Sequence, residues 1–162
     1  MTPGLAALVL TLDVLFGAGP VTALDGRSVS THDLRGRVVL VDVWATWCAP
    51  CLAEMPTLKR LQAEYGDALT IVGVNVDSLP RRDLRQWLAR RDITWPQLFD
   101  GRGVRGPLAT QLGVEFLPRS FLFDVDGQLI GTDLRGDALV RAVKHAVGHA
   151  GLERAVVPTR RR

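Results

Sequence analysis

Val38-Val39-Leu40-Val41-Asp42-Val43-Trp44 runs through Ala45-Thr46-Trp47 into Cys48-Ala49-Pro50-Cys51. The first seven residues form a near-continuous apolar run of strand length, as expected of a strand covered on both faces. From Pro50 a different period takes over: Leu52, Met55, Leu58 and Leu61 recur at helical spacing as far as Tyr65, and Gly66 closes the segment. Pro56 is expected to kink this helix. A buried strand thus passes through a short loop into a helix, with Cys48 at the helix mouth. Unpaired backbone N–H groups and the positive end of the helix dipole favour an anion there. A nucleophilic cysteine needs that setting, because the thiolate is the reactive form; lowering its pKa from ~8.5 to ~7 raises the thiolate share at neutral pH from about 3% to about half. Cys51, one turn further in, is placed to resolve a mixed disulfide. Pro50 is tolerated in the first helical turn, where its missing N–H would have lacked a partner.

These are the only two cysteines in 162 residues. A chain of this length, 47% hydrophobic and 23% charged, has the composition of one soluble domain that can bury a core without a staple. A bridge between Cys48 and Cys51 closes too small a loop to add much entropic stability. A closed zinc site wants four ligands, and the chain offers one CxxC and three histidines; His145 and His149 can share a helix face but lie far along the chain from Cys48. Redox chemistry is the remaining use. No metal and no cofactor is called for.

Outward from this centre, Leu24-Asp25-Gly26-Arg27-Ser28-Val29 reads as a hairpin with a D-G turn. Leu69 to Val76 is a second buried strand, and Ser78 and Pro80 open a helix through Leu84, Trp87 and Leu88. Leu108 to Leu112 is a short helix. Ser120 to Phe123 and Gln128 to Leu134 flank Asp126-Gly127 as an antiparallel hairpin, and a last helix runs from about Asp137 to Val147. Strands alternating with helices, then a hairpin and a helix, make an α/β fold with a mixed sheet. Residues 1–20 are apolar: Leu5 to Leu12 fits either a secretory h-region, with Val21-Thr22-Ala23 as a cleavage site, or a strand or short helix packed on the domain. The domain is expected to span 21–150, with 151–162 a basic tail.

Val38 to Cys51 closely resembles the active-site strand and loop of thioredoxin-like proteins. Leu34-Arg35-Gly36-Arg37 before it, Ala45-Thr46-Trp47 within it, and Phe121-Leu122-Phe123-Asp124 with Asp126-Gly127 later narrow the resemblance to the bacterial TlpA-, ResA- and DsbE-like thiol-disulfide oxidoreductases, over about residues 21–147. The resemblance implies a thioredoxin fold, a central mixed β-sheet flanked by helices, with an N-terminal β-hairpin and an inserted helix around residues 79–112. It also implies electron exchange with protein disulfides outside the cytoplasm, in the periplasm or at the outer face of the cell membrane. The N-terminal segment leaves a cytoplasmic location open.

Pro118, in Phe116-Leu117-Pro118-Arg119-Ser120, matches the family's cis proline facing the cysteines, so that the Leu117 backbone can pair with an extended substrate. Trp47, Ala49, Pro50, Leu117 and Pro118 are the expected substrate-binding residues. Leu117 and Arg119 stand where relatives often carry threonine or another small residue. Asp42 matches the buried aspartate of thioredoxin, where many TlpA-like relatives have asparagine. Desolvation should raise its pKa, so that it could take the Cys51 proton directly or through a water; a structural aspartate bonded to backbone is the alternative. Asp77 either borders the cysteines, as an acidic residue does in some ResA-like relatives, or caps the following helix. Glu115 is a second acidic candidate. Trp44 and Trp47 are expected to wall the pair, Trp44 alternatively being core, and Trp87 and Trp95 to pack the insertion.

Two other readings fail on context. Gly101-Arg102-Gly103-Val104-Arg105-Gly106 satisfies G-x-G-x-x-G but lacks the long strand before and the long helix after that a dinucleotide site needs, so it reads as a flexible surface turn. Peroxiredoxins resemble P-x-x-x-[ST]-x-x-C, which Val43 to Cys48 does not. The net charge of +3 is uneven: residues 1–132 carry −1 and residues 133–162 carry +4, ending in Arg160-Arg161-Arg162. Without an aromatic platform this speaks against nucleic acid as a partner. The reading is a monomeric protein-disulfide reductase, with Cys48 attacking and Cys51 resolving, that serves cytochrome c maturation. Its partners are protein disulfides or dithiols and an upstream donor such as a membrane thiol reductase. An oxidant of exported thiols is the enzymatic alternative, and a redox-silent binding module or metallochaperone the non-enzymatic one.

Overall fold

The structure, a computed structural model, describes residues 11–17 and 19–156. Its centre is β3 (Val38–Trp44), all seven residues of which are buried. It pairs in parallel with β4 (Leu69–Asn75) on one edge and antiparallel with β6 (Arg119–Phe123) on the other. β5 (Gln97–Phe99) and β7 (Leu129–Thr132) complete a five-stranded mixed sheet in the order β5-β4-β3-β6-β7. A separate two-stranded hairpin, β1 (Val21–Thr22) with β2 (Ser28–Val29), stands before it as the sequence predicts.

The helices follow the apolar spacing. α3 (Ala49–Tyr65) buries Cys51, Met55, Leu58 and Leu61 on one face and continues through Pro56 without a break. α4 (Arg81–Ala89) buries Leu84 and Leu88. α6 (Gly136–Val156) packs against both α3 and β3. Short helices α1 (Leu12–Phe16), α2 (Thr31–Leu34) and α5 (Pro107–Gln111) fill in the margins. This is the thioredoxin fold with the expected N-terminal hairpin.

Three boundaries differ from expectation. The stretch 79–112 holds two helices and the edge strand β5 rather than one inserted helix. α6 does not stop near Val147: Gly148 and Gly151 keep ordinary helical backbone instead of taking the positive φ that ends α3 at Gly66, so the helix runs into the stretch expected to be a tail. Residues 157–162 lie outside the described residues, as do 1–10, which hold most of the proposed h-region. Leu12–Phe16, by contrast, is a packed helix. The Leu12 N–H donates to the Gly127 carbonyl (3.1 Å), and the Leu12 and Phe16 side chains are buried. Trp44 is wholly buried, stacks on Trp87 with ring centroids 5.2 Å apart, and donates from Nε1 to Gln97 Oε1 at 2.9 Å. It is therefore a core residue, and it does not wall the cysteines. Trp95 is buried in the insertion as expected.

Gln97 reaches Trp44 by lying across Gly73, its cross-strand neighbour: a Cβ on Gly73 would stand 2.1 Å from Gln97 Oε1. Gly73→Ala must push the amide off Trp44 in a filled core, which should cost about 1–3 kcal/mol. Urea denaturation is the measurement. Gln97→Ala in the same chain should recover part of the loss, so that the two substitutions couple rather than add.

Candidate active site

The loop after β3 is held from below by one carboxylate. Asp77, two residues past β4 and 2% exposed, accepts from the Thr46 N–H at Oδ2 and from the Thr46 hydroxyl at Oδ1, both at 2.8 Å. The Asn75 amide donates to Asp77 Oδ2 at 2.7 Å, and the Asp77 N–H returns a bond to Asn75 Oδ1 at 3.0 Å. Thr46 is thus fixed by backbone and side chain together. Asp77 does not cap α4, whose N-cap is Pro80 with no side-chain bond; it acts on the cysteine loop through Thr46.

From this anchor the chain enters α3. Cys48 is the N-cap residue: its Sγ accepts from the Cys51 N–H at 3.2 Å, and its own N–H donates to the Ala45 carbonyl at 3.2 Å. Cys48 and Cys51 are joined as a disulfide, with Cα atoms 5.2 Å apart. Both are buried, but they are not equivalent. Cys48 lines an open groove of about 510 Å³ with Trp47, Pro50, Val104, Phe116 and Leu117, and Cys51 does not reach it. Ala49 and Glu115 also border the groove.

The opposite bank is set by strand register. β3 and β6 are paired at Val43 and Arg119, so the residues before Arg119 run beside the end of β3. Leu117 and Pro118 are joined by a cis peptide bond, as the sequence predicts. Arg135 Nη2 donates to the Pro118 carbonyl. No hydrogen bond to the Leu117 backbone is present among the described residues.

Behind this surface lies a charged cluster that only partly follows from the sequence. Asp42 is buried, and desolvation, helped by the negative charge of Glu54 and opposed by Arg135, pushes its pKa up to about 7. Glu54 lies one helical turn after Cys51 on α3, and its Oε1 accepts from the Gly136 N–H at the start of α6 at 2.9 Å. Cys51 and Glu54 at i, i+3 share a helix face, a spacing that could have signalled Glu54 beforehand. Arg135 had no such signal.

The Redoxin family model matches residues 17–144. The chain belongs to the Redoxin family. Among curated proteins this Redoxin chain is similar to the thioredoxin-like protein YneN of Bacillus subtilis, at 36% identity over 64% of this chain and 60% of that protein. It is also similar to the thiol-disulfide oxidoreductase ResA of Bacillus thuringiensis, at 31% identity over 72% of this chain and 65% of that protein. The match therefore spans less than two thirds of the length of either curated relative. Among solved structures, a thiol-disulfide oxidoreductase from Bacteroides fragilis superposes with a TM-score of 0.68 at 26% identity, covering 78% of this chain and 95% of that one.

Of the residues named from sequence, Trp47, Cys48, Ala49, Pro50, Glu115 and Leu117 meet at the Redoxin groove; Cys51, Asp42, Asp77 and Pro118 lie behind or beside it. Gly101–Gly106 is a surface turn, as the sequence predicts, and Asp100 braces it: its carboxylate accepts from the Arg102 N–H and, just beyond the turn, the Leu108 N–H at 2.9 and 3.0 Å. The turn also brings Val104 to the site. The brace is local, but it comes from Asp100, which lies outside the glycine pattern.

Asp42 has a consequence for stability. The folded protein holds this proton up to about pH 7, whereas the unfolded chain releases it near 3.8. Its contribution is therefore fully present below pH 3.8 and is lost as pH rises through about 7. Relative to Asp42→Asn, the wild type should lose up to about 4 kcal/mol of unfolding free energy between pH 4 and 8. Urea midpoints of the two proteins across that range measure it, and a constant difference would show that Asp42 titrates as an ordinary carboxylate.

Proposed function

We propose that the protein is a thiol-disulfide oxidoreductase that reduces disulfides in other proteins. The observation that carries this reading is the Cys48–Cys51 disulfide at the start of α3, of which only Cys48 opens onto the groove. In the reduced protein the Cys48 thiolate attacks one sulfur of a substrate disulfide. That S–S bond breaks, the other substrate sulfur leaves as a thiolate, and a mixed disulfide forms through Cys48. Cys51 gives its proton to Asp42, directly or through a water, and attacks the Cys48 sulfur. The mixed bond breaks, the second substrate thiolate leaves, and two electrons have passed from the protein to its substrate. Asp42, with its pKa near 7, is matched to exchanging a proton at neutral pH. The Leu117 backbone, free of internal hydrogen bonds among the described residues, pairs with an extended substrate strand.

A dithiol donor outside the molecule, such as a membrane thiol reductase, returns the two electrons. On this reading, which the similarity to ResA supports, the protein works outside the cytoplasm in the maturation of c-type cytochromes; that it acts as a monomer is part of the proposal. Among the described residues no helix is long and apolar enough to cross a membrane.

Cys51→Ser should trap a substrate protein as a mixed disulfide through Cys48, visible as a reducible band on a non-reducing gel, and Cys48→Ser should trap none. Equal trapping by both variants would remove the division of labour. The reduction potential, measured against glutathione, decides direction: a value near thioredoxin's roughly −270 mV fits a reductase, and one near −120 mV makes the protein an oxidant.

A further inference from the structure

Gly101-Arg102-Gly103-Val104-Arg105-Gly106 is the sequence motif that thiol exchange leaves without a task. The loop is built to hold one shape. Gly106 passes so close to the clamp on Asp100 that a Cβ there would lie 2.8 Å from Asp100 Oδ2. Gly103 takes a φ of +70°, which only glycine adopts easily, and its N–H donates to the Asp77 carbonyl at 3.2 Å. Asp77 therefore fixes two things at once: its side chain holds Thr46 of the cysteine loop, and its backbone holds the glycine loop.

The result is a third wall beside the disulfide. Val104 is 44% exposed, Trp47 63% and Phe116 51%, and all three line the groove onto which Cys48 opens. Among the described residues only Val14 and Ile130 are other large hydrophobic side chains so exposed. Apolar surface gathered in one groove marks a place where another apolar surface docks.

We propose that Val104, presented by the Gly101–Gly106 loop, is a specificity-determining residue, and that the groove selects an extended stretch of substrate polypeptide carrying an apolar side chain next to its reacting cysteine. This rests on the thiol-exchange reading above. The groove runs on continuously from Cys48. Glu115 is the one charged residue among those that line it, and the Arg119 guanidinium 5.0 Å from the centre of the Phe116 ring is already ion-paired with Asp133 at 3.1 Å, so an acidic side chain or a carboxylate-bearing small thiol is disfavoured there. A peptide with an aliphatic side chain covers Val104 and Phe116 and leaves Glu115 solvated at the rim.

The test uses the full-length reduced protein and two peptide disulfides that differ only in the residue next to the cysteine, leucine or aspartate. The wild type should favour the leucine peptide in the rate of disulfide reduction. Val104→Asp should lower that leucine-to-aspartate ratio about tenfold or more, as expected when an apolar contact in a pocket is exchanged for a charge, and Val104→Ile should keep it. A ratio unchanged in Val104→Asp while both peptides are still reduced would overturn the wall alone. Reduction of neither peptide by the wild type would overturn the exchange reading itself.

Discussion

β3 has hydrogen-bonded partners on both edges, parallel β4 and antiparallel β6, and no exposed residue on either face. A strand enclosed in this way cannot slip: a shift of one residue would turn every side chain to the other face and break both ladders. The site inherits its geometry from that constraint. The parallel partner carries Asn75 and then Asp77 to the same end of the sheet as the cysteine loop. The antiparallel partner begins there, so the segment leading into it, with the cis Leu117–Pro118 bond, arrives beside the same end. Three separate stretches of chain converge because each is hydrogen-bonded to, or continuous with, the one central strand.

Only the loop itself remains to be fixed, and there Asp77 takes over from the ladder. Ladder bonds end at Trp44, apart from the Val76 N–H that reaches the Trp44 carbonyl at 3.0 Å. From Thr46 onward the chain has left the sheet, and an untied loop would sample many positions at a cost of about 1–2 kcal/mol per residue to order. Two bonds from Thr46 to a buried carboxylate, itself tied to Asn75, offset part of that cost. A buried acid is expensive unless its oxygens are satisfied, and these are, by Thr46 and Asn75. The arrangement leaves Cys48 at the helix mouth with short-range ties only: its N–H to the Ala45 carbonyl, its carbonyl to the Leu52 N–H, and its Sγ to Cys51.

What could be read from sequence and what could not divide along the same line. β3, the start of α3 and the hairpin around Asp126-Gly127 are set by residues near in sequence, through apolar period, N-terminal proline and turn chemistry, and those readings stand. Asp42 was legible because a lone carboxylate in an apolar strand can only be buried. Asp77 was ambiguous, since an acid between a strand and a helix fits a cap as well as a strut, and only the packing of Thr46 over it separates the two. Gly103 and Gly106 looked like flexible punctuation because their constraints, the Asp77 carbonyl and the Asp100 carboxylate, do not show in a glycine motif. α6 ran past its predicted end because glycine weakens a helix by only about 1 kcal/mol and stops it when it turns left-handed, which Gly148 and Gly151 do not.

The charges behind the cysteines follow from the same economy of partners. Asp42, Glu54 and Arg135 interact, yet Arg135 only partly offsets the acids: it acts on Asp42 through its charge alone, while its Nη2 donates to the Pro118 carbonyl. Glu54 in turn is held by the Gly136 N–H at the head of α6, where a negative charge is favoured, so it stays close enough to press on Asp42. Had Arg135 also hydrogen-bonded Asp42, the carboxyl would have been held more strongly as an anion and its pKa drawn down. The guanidinium that holds the Pro118 carbonyl thus lowers the pKa of the buried acid less than burial and Glu54 raise it, and Asp42 is left able to titrate.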